Sequence, residues 1–262
     1  MTAAAPALLG RPLWYELMTT DMKAAEAFYR IVIGWTSAPF EGSPQPYVMF
    51  SRGGDVPVAG LMTLPDDMKM PPFWAMYVGV PELEGAAAHI EGLGGASRSP
   101  VIEVPGVGRM QMMTDPQGAA FYIYEPAAGT EHLPEAAAEP GEASWHELMT
   151  TDAPAAMAFY HTVFGWQPSD ALDMGPMGKY HMFNRPHGMI GGMMNKPPEM
   201  AHVPPNWQIY FRVPDITAAT ERIKANGGQI LNGPMEVPDG SWIVNGMDPQ
   251  GAAFALHATA TQ

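Results

Sequence analysis

The chain of 262 residues contains no cysteine. Disulfides, thiolate nucleophiles and cysteine-ligated metals are therefore excluded as sources of stability or chemistry. Basic residues are also scarce, because 13 lysines and arginines stand against 27 aspartates and glutamates, for a formal net charge of −14. A chain of this charge repels a phosphate backbone, so we expect no nucleic-acid partner.

Long hydrophobic runs are lacking as well. No stretch approaches the roughly 18 consecutive apolar residues of a membrane-spanning helix, so we expect no membrane partner. Residues 1–11 have neither the basic segment nor the apolar core of a signal peptide, and we interpret them as a disordered lead-in. The lack of cysteine fits a cytoplasmic location.

An internal repeat dominates what is present. The segment Trp14–Asp21 recurs as Trp145–Asp152 with one difference, Tyr15 against His146. Further matches follow in the same order: Phe28-Tyr29 with Phe159-Tyr160, Gly34-Trp35 with Gly165-Trp166, Tyr47 with Tyr180, Trp74 and Tyr77 with Trp207 and Tyr210, and Asp115–Phe121 with Asp248–Phe254. Such an ordered series indicates a tandem duplication.

The duplication predicts the domain boundaries. Residues 127–142 lack lysine, arginine and any periodicity, and read as a linker. We therefore predict one domain over 12–126, called the first copy, and another over 143–258, called the second copy.

Each copy contains the same order of elements twice. In the first copy a short strand ends at Asp21, a good N-cap for a helix running to about Val32. Two strand-like runs follow, and the pattern restarts with a strand at 74–80 and a helix at 82–93. The last two strands meet at Asp115-Pro-Gln-Gly, a turn sequence. The prediction is an α+β fold with two βαβββ modules per copy.

This pattern resembles the vicinal oxygen chelate superfamily, in particular its tandem two-domain proteins of the glyoxalase, bleomycin-resistance and dioxygenase type. The residues that carry the resemblance are Asp21, Phe28-Tyr29, Gly34-Trp35 and the Asp115-Pro-Gln-Gly-Ala turn, with their second-copy matches. The resemblance implies tandem domains whose modules form a curled, mostly antiparallel sheet, here called the cup, with helices outside. It also implies a small-molecule ligand, lyase, isomerase or oxygenase chemistry if the chain is an enzyme, and a monomer or homodimer.

The resemblance further implies three metal-ligand positions in each cup. Here these positions hold Trp14, Ala75 and Tyr122 in the first copy, and Trp145, Gln208 and Ala255 in the second. Tryptophan, alanine and a neutral tyrosine do not form a divalent metal site, and one glutamine is too few. We therefore expect no cofactor.

A shifted metal site is the alternative. Side chains alternate across a strand, so Glu147, Gln208 and His257 would face the same cup and supply mixed oxygen and nitrogen ligands for Fe, Zn, Mn or Ni. Six of the eight histidines lie in the second copy, which makes that copy the place for any metal.

The same alternation predicts which side chains line the cups. The ligand-binding candidates are Trp14, Met18, Tyr77, Tyr122 and Tyr124 in the first copy, and Trp145, Met149, Gln208 and Arg212 in the second. The candidate acid/base groups are Glu16, Glu147, Tyr210 and His257. A carboxylate in such an apolar setting should have a raised pKa, although either glutamate could instead stabilise its cup by accepting hydrogen bonds.

Three functions follow from these residues. The first is a metal-independent binder or enzyme for a small apolar or aromatic molecule, with Glu147 or Glu16 as acid/base. The second is a metal-dependent glyoxalase, lyase or dioxygenase that uses the shifted site. The third is a non-catalytic protein of the resistance type, which sequesters a ligand unchanged.

Overall fold

The computed structural model describes residues 8–66, 68–128, 138–186 and 188–259. The described part contains four α-helices: α1 Met22–Val32, α2 Leu83–Gly92, α3 Ala153–Phe164 and α4 Ile216–Ala225. The N-cap prediction for Asp21 is confirmed, because Asp21 accepts a hydrogen bond from the Ala24 amide at 3.0 Å. Its repeat counterpart Asp152 accepts one from the Ala155 amide at the same distance. No described helix is long and apolar enough to cross a membrane.

In each module one strand precedes the helix and the other strands follow it. Those of the first copy are β1 Pro12–Thr19, β2 Thr36–Pro39, β3 Tyr47–Arg52, β4 Val56–Thr63, β5 Phe73–Gly79, β6 Ala96–Ser97, β7 Ile102–Val104, β8 Gly108–Thr114 and β9 Ala120–Pro126. Those of the second are β10 Ala143–Thr150, β11 Gln167–Asp173, β12 Lys179–Arg185, β13 Gly188–Asn195, β14 Asn206–Arg212, β15 Gln229–Glu236, β16 Trp242–Met247 and β17 Ala253–Ala258.

Each module is a small mixed sheet. Its first strand pairs in parallel with its last, as in β1 with β4 and β14 with β17, and the remaining neighbours are antiparallel. The predicted α+β class of four βαβββ modules is confirmed, and β1 to β9 and β10 to β17 form one sheet per copy.

The compact units of the structure do not coincide with the two copies of the sequence repeat. The first compact unit contains residues 8–13, 76–128 and 146–207, and the second contains 14–75, 138–145 and 208–259. Each unit therefore combines one module of each copy. The domains predicted over 12–126 and 143–258 are defined by the sequence repeat, and their boundaries stay a prediction.

A buried aromatic cluster forms the centre of the first unit. Tyr160 of α3 stacks on Trp166 at 5.2 Å, and its hydroxyl accepts a hydrogen bond from Trp207 at 3.0 Å and donates one to Asp115 at 3.1 Å. Burial raises the pKa of the Asp115 carboxyl, against the opposing effect of its backbone hydrogen bonds. The closing turn of one copy is thus bonded to the first helix of the other.

The second unit repeats this arrangement with the partners exchanged. Trp74 donates to the Tyr29 hydroxyl at 3.0 Å, and that hydroxyl donates to Asp248 at 3.1 Å. The Phe-Tyr and Asp-Pro-Gln-Gly motifs that carry the family resemblance therefore serve the core in both units.

Parts of the predicted lead-in and linker belong to the folded units. Gly10 donates its amide to Gly79 at 2.9 Å, and its carbonyl accepts from Trp166 at 2.6 Å. Gly141, with φ 92°, donates its amide to the Arg212 carbonyl at 2.8 Å, and its carbonyl accepts from the Trp35 indole at 2.8 Å. Residues 1–7 and 129–137 of those predicted segments lie outside the described residues.

Candidate functional site

Two parallel strands of the second unit place the polar candidates on one face. Tyr210 of β14 is in register with Ala255 of β17, and Arg212 is in register with His257. Because side chains alternate along a strand, Gln208 shares this face of β14. This face, defined by Gln208, Tyr210, Arg212, Ala255 and His257, is called the polar face below.

A side-chain hydrogen bond crosses the polar face at Ala255. Asn245 of β16 is the other neighbour of Ala255, and its amide nitrogen donates to the Tyr210 hydroxyl at 3.2 Å. Ala255, fully buried, is small enough to let these two side chains meet. Ala255, at a position where the family resemblance implies a metal ligand, therefore places a methyl group between the two hydrogen-bonded side chains.

Gln208 contributes an unsatisfied donor to the polar face. Its Nε2 atom is buried and has no hydrogen-bond partner among the described residues. A buried donor without an acceptor costs on the order of 1–3 kcal/mol. Native structures contain few such groups, and each calls for an explanation such as a water, an ion or a catalytic role.

His257 is the titratable group of the polar face. Its ring is half-buried, and Nδ1 lies 2.9 Å from the Ser144 hydroxyl. Burial lowers the pKa of His257, the Arg212 guanidinium lowers it further, and Asp239 opposes the shift. The ring is therefore held neutral at pH 7. Arg212 itself donates to the Thr259 hydroxyl at 3.2 Å and to the Ala138 carbonyl.

The second unit also holds Glu16 on the first strand. Glu16 is only 6% exposed and is in register with Gly60 of β4. Tyr47 lies over Gly60 so closely that a Cβ there would be 1.7 Å from its hydroxyl, and Trp14 donates to the same hydroxyl at 2.9 Å. Gly60 thus makes room for the tyrosine that covers this strand. Met18 is buried in the same unit, and Trp145 is half-buried.

The first unit repeats this geometry around Glu147. Glu147 is 8% exposed and in register with Gly192, and a Cβ at Gly192 would lie 2.1 Å from the Tyr180 ring. Met149 is in register with Met194 on the same strand pair. Each glutamate also has an interaction partner, so neither is an isolated buried charge.

Aromatic rings fill the first-unit counterpart of the polar face. Tyr77 of β5 is in register with Tyr122 of β9, and their rings stack 4.4 Å apart at 12°. Tyr124 meets Tyr77 edge-on at 6.4 Å and donates to the Val107 carbonyl at 2.8 Å. Burial raises the pKa of Tyr124. This face therefore offers stacked carbon surface where the polar face offers donors and acceptors.

The structure thus groups the predicted site residues by unit. The second unit holds Trp14, Glu16, Met18, Trp145, Gln208, Tyr210, Arg212 and His257, and the first holds Tyr77, Tyr122, Tyr124, Glu147 and Met149. Sequence reasoning missed Ser144 and Asn245 as site residues. Neither has a counterpart of its own type in the first copy, so the repeat gave no signal for them.

The donor set does not fit a divalent metal at the positions that the resemblance implies. Those positions hold indole, methyl, phenol and amide groups, and the amide presents an unpaired N–H. Within residues 8–66, 68–128, 138–186 and 188–259, no group of three or more histidine, aspartate or glutamate side chains is placed to hold a metal ion.

Comparison with known sequences gives a consistent result. Residues 143–256 match the model of the family described as Glyoxalase/Bleomycin resistance protein/Dioxygenase superfamily. The CFP32 protein of Mycobacterium tuberculosis, named glyoxylase, is 31% identical over 258 residues, which cover 97% of this chain and 96% of that protein. The anthracycline biosynthesis protein DauV of Streptomyces sp. strain C5 is 30% identical over 273 residues, 98% and 94% of the two chains.

A solved structure supports the same fold. The Mn(II)-bound glyoxalase of Novosphingobium aromaticivorans superposes with a TM-score of 0.65 over 97% of this chain and 83% of its own, at 18% identity. At that identity the match shows the fold alone. The superposition agrees with the fold described above.

Proposed function

Because this chain belongs to the glyoxalase, bleomycin resistance protein and dioxygenase superfamily, we propose that it binds a small, largely apolar or aromatic molecule at the polar face of its second copy. In this proposal the site works without a metal. Glu147 or Glu16 is the candidate general acid/base predicted from the sequence if a ligand is also transformed; Glu16 lies in the unit of the polar face, and Glu147 lies in the first unit.

The observation that carries the proposal is the buried, unpaired Nε2 of Gln208. An acceptor oxygen on the ligand, such as a ketone or ether oxygen, would satisfy it and recover on the order of 1 kcal/mol. The chain's net charge of −14 disfavours an anionic ligand. A neutral molecule with an apolar body and an accepting oxygen therefore fits best.

Two features of the polar face support binding without a metal. The unpaired N–H of Gln208 is a donor and calls for an acceptor rather than a cation, so only the amide oxygen of this residue could ligate a metal. The hydrogen bond between Tyr210 and Asn245 crosses Ala255, which stands at the third metal-ligand position implied by the family resemblance. Ligand orientation then depends on hydrogen bonds from this chain.

The acid/base roles are proposed for Glu147 and Glu16 because of their burial. At 8% and 6% exposure, both carboxylates are largely shielded from bulk water, which suits proton exchange with a ligand that contacts them. Tyr210 is proposed as a second polar contact, since its hydroxyl is already oriented by Asn245. A Glu147→Gln variant with unchanged ligand affinity and unchanged turnover of a bound ligand would remove Glu147 from the mechanism.

Binding is tested with acetonaphthone, a neutral aromatic ketone, followed by quenching of tryptophan fluorescence in the metal-stripped protein. The name of the relative DauV supports this choice of an aromatic probe. We expect Gln208→Met to weaken binding about tenfold, the value of one hydrogen bond. Gln229→Met, on an exposed glutamine of the same unit, is the matched control and should leave binding unchanged. Equal affinity in both variants would contradict the proposal.

A metal-dependent glyoxalase, lyase or dioxygenase is the second candidate function. The solved neighbour that holds Mn(II) favours it. Of the ligands predicted for the shifted site, Glu147 lies in the first unit, and Gln208 and His257 lie in the second. Elemental analysis after loading with Fe²⁺, Zn²⁺, Mn²⁺ or Ni²⁺ and desalting decides between the two. Near-stoichiometric metal that is lost on Glu147→Ala or His257→Ala would establish the metal site.

The third function is sequestration of the ligand without chemistry, and the fate of the bound ligand distinguishes it from an enzymatic function. A bound ketone recovered unchanged after long incubation would favour it, and a changed product would favour an enzyme. The cytoplasmic location and the monomeric or homodimeric state expected from the sequence stay predictions.

A further inference from the structure

Ser144 and His257 form a contact that only the second copy contains. The Ser144 hydroxyl lies 2.9 Å from Nδ1 of His257 and 3.3 Å from the Tyr210 carbonyl oxygen. At the matching positions of the first copy stand Leu13 and Tyr124, which cannot make this contact. The pair is therefore specific to the copy that carries the polar face.

Two hydrogen placements fit the 2.9 Å contact, because the roles of the His257 ring nitrogens depend on the tautomer, and only one of them also satisfies the Tyr210 carbonyl. A serine hydroxyl has a single hydrogen, and the Tyr210 carbonyl can only accept it. With that hydrogen on the carbonyl, the Ser144 oxygen is left as an acceptor for Nδ1. Nδ1 of His257 must then carry the hydrogen of the neutral ring, and Nε2 is left with its lone pair.

The other ring nitrogen is available to a ligand. Within the described part of the chain, the contact with Ser144 is the only hydrogen bond that the His257 ring makes. An acceptor nitrogen on a face that also presents the Gln208 donor recognises a molecule with both an accepting and a donating oxygen.

We propose that Ser144 is a positioning residue that keeps His257 in the Nδ1–H tautomer, and that the ligand of the polar face presents a phenolic or enolic hydroxyl to Nε2. The ligand class is then a neutral aromatic or enolic hydroxy-ketone. This inference rests on the function proposed above and adds the chemical class of its ligand.

The chemistry of such a pair is balanced without a further reagent. The ligand hydroxyl donates a hydrogen bond to Nε2, and a sufficiently acidic hydroxyl transfers its proton there. The products of that transfer are an imidazolium on His257 and an oxyanion on the ligand. Ser144 does not touch the ligand and acts only by holding the ring.

The first experiment needs no ligand. Two-bond proton–nitrogen correlation spectra of the full chain report the tautomer of each of its eight histidines, and loss of one set of signals in His257→Gln assigns that residue. We expect the Nδ1–H tautomer in the native protein and in Ser144→Thr, which keeps the hydroxyl. Ser144→Ala should shift His257 toward the Nε2–H tautomer that free histidine prefers.

A control separates positioning from general destabilisation. Ser51→Ala, on a half-buried serine of β3, should leave the His257 signals unchanged. An Nε2–H tautomer in the native protein, or an unchanged tautomer in Ser144→Ala, would overturn the role of Ser144.

The second experiment tests the ligand class with two matched ketones. Hydroxyacetonaphthone and its methyl ether, each with its two oxygen groups at opposite ends of the naphthalene, share the acceptor for Gln208 and differ in the hydroxyl. We expect the hydroxyl compound to bind about tenfold more tightly to the native protein and to Ser144→Thr. The difference should disappear in Ser144→Ala.

The outcomes distinguish this inference from the proposed function. Equal, Gln208-dependent binding of both ketones would overturn the ligand class and leave the proposed function intact. Failure of both ketones to bind would overturn the proposed function and the ligand class together, while the tautomer result decides the role of Ser144 by itself.

Discussion

The two copies place different side chains at the same point of their sheets. In the first copy Tyr77 has Tyr122 beside it, and the two rings stack 4.4 Å apart. In the second copy Tyr210 has Ala255 beside it, and its hydroxyl is bonded to Asn245 instead. Duplication supplied both copies with the first tyrosine, and the neighbouring positions then diverged.

The difference separates a structural face from a candidate functional one. Stacked rings gain stability from burial and are satisfied without a ligand. In our proposal, the buried unpaired amide of Gln208 costs stability and, with the neutral imidazole of His257, serves ligand recognition instead. The four predictions below test this division, from the largest expected effect to the smallest.

Removing a ring from the first copy should cost most. Tyr122→Ala leaves a cavity beside Tyr77, and we expect the free energy of unfolding to fall by about 3–5 kcal/mol. Asn245→Ala, at the corresponding point of the second copy, should cost only about 1 kcal/mol, the value of one hydrogen bond. Urea denaturation of both variants measures the difference, and equal losses would break the proposed division.

The single difference in the repeated first-strand motif predicts a pH effect. His146, in place of Tyr15, is fully buried with Nδ1 2.6 Å from the Ile190 carbonyl, and burial lowers its pKa from 6.5 to about 4. Between these values the unfolded chain binds the proton and the folded chain does not. The contribution of His146 is therefore complete above pH 6.5 and lost as the pH falls, by about 3 kcal/mol over the window.

His146→Tyr, which copies the first strand of the first copy, should flatten this dependence. Unfolding in urea at a series of pH values between 7 and 4.5 provides the measurement. A slope that is the same in native protein and variant would show that His146 is not the group responsible.

The buried Tyr–Asp pairs should behave alike, because both units contain them. Tyr29→Phe leaves Asp248 without its side-chain donor, and Tyr160→Phe does the same to Asp115. We expect each to lower the free energy of unfolding by about 1–3 kcal/mol. Thermal or urea unfolding compares the two, and a strongly unequal loss would show that the units differ in their cores as well as in their faces.

The smallest expected effect is a gain in stability. Gln208→Met replaces the unpaired donor with an apolar side chain of similar length, and we expect stability to rise by about 1 kcal/mol. The same variant should bind acetonaphthone more weakly. A loss of stability in Gln208→Met would mean that the amide is satisfied in the folded chain.

The repeat was the strongest predictor of the fold. Local signals such as Asp21 before an apolar helix are physical requirements of the backbone, and they predicted the helix starts correctly. Alternation along strands likewise placed Tyr210 and His257 on a common face, as the register shows. These features depend on neighbours in sequence or on a period of two.

Side-chain contacts between residues far apart in sequence could not be predicted from local signals or from strand alternation. The Asp115 turn was predicted, but its bond to Tyr160 joins residues of different copies. The contact between Ser144 and His257 spans 113 positions, and a serine ahead of a repeated motif carries no distinguishing pattern. Packing of one module against another is decided by tertiary geometry, which periodicity does not encode.

The most direct test of the central claim is a calorimetric titration of the metal-stripped, full-length protein with hydroxyacetonaphthone. We predict one binding site per chain, unchanged by added Mn²⁺ and weakened about tenfold in Gln208→Met. Binding that appears only after metal is added, or that is the same in Gln208→Met, would contradict a metal-free site at the polar face.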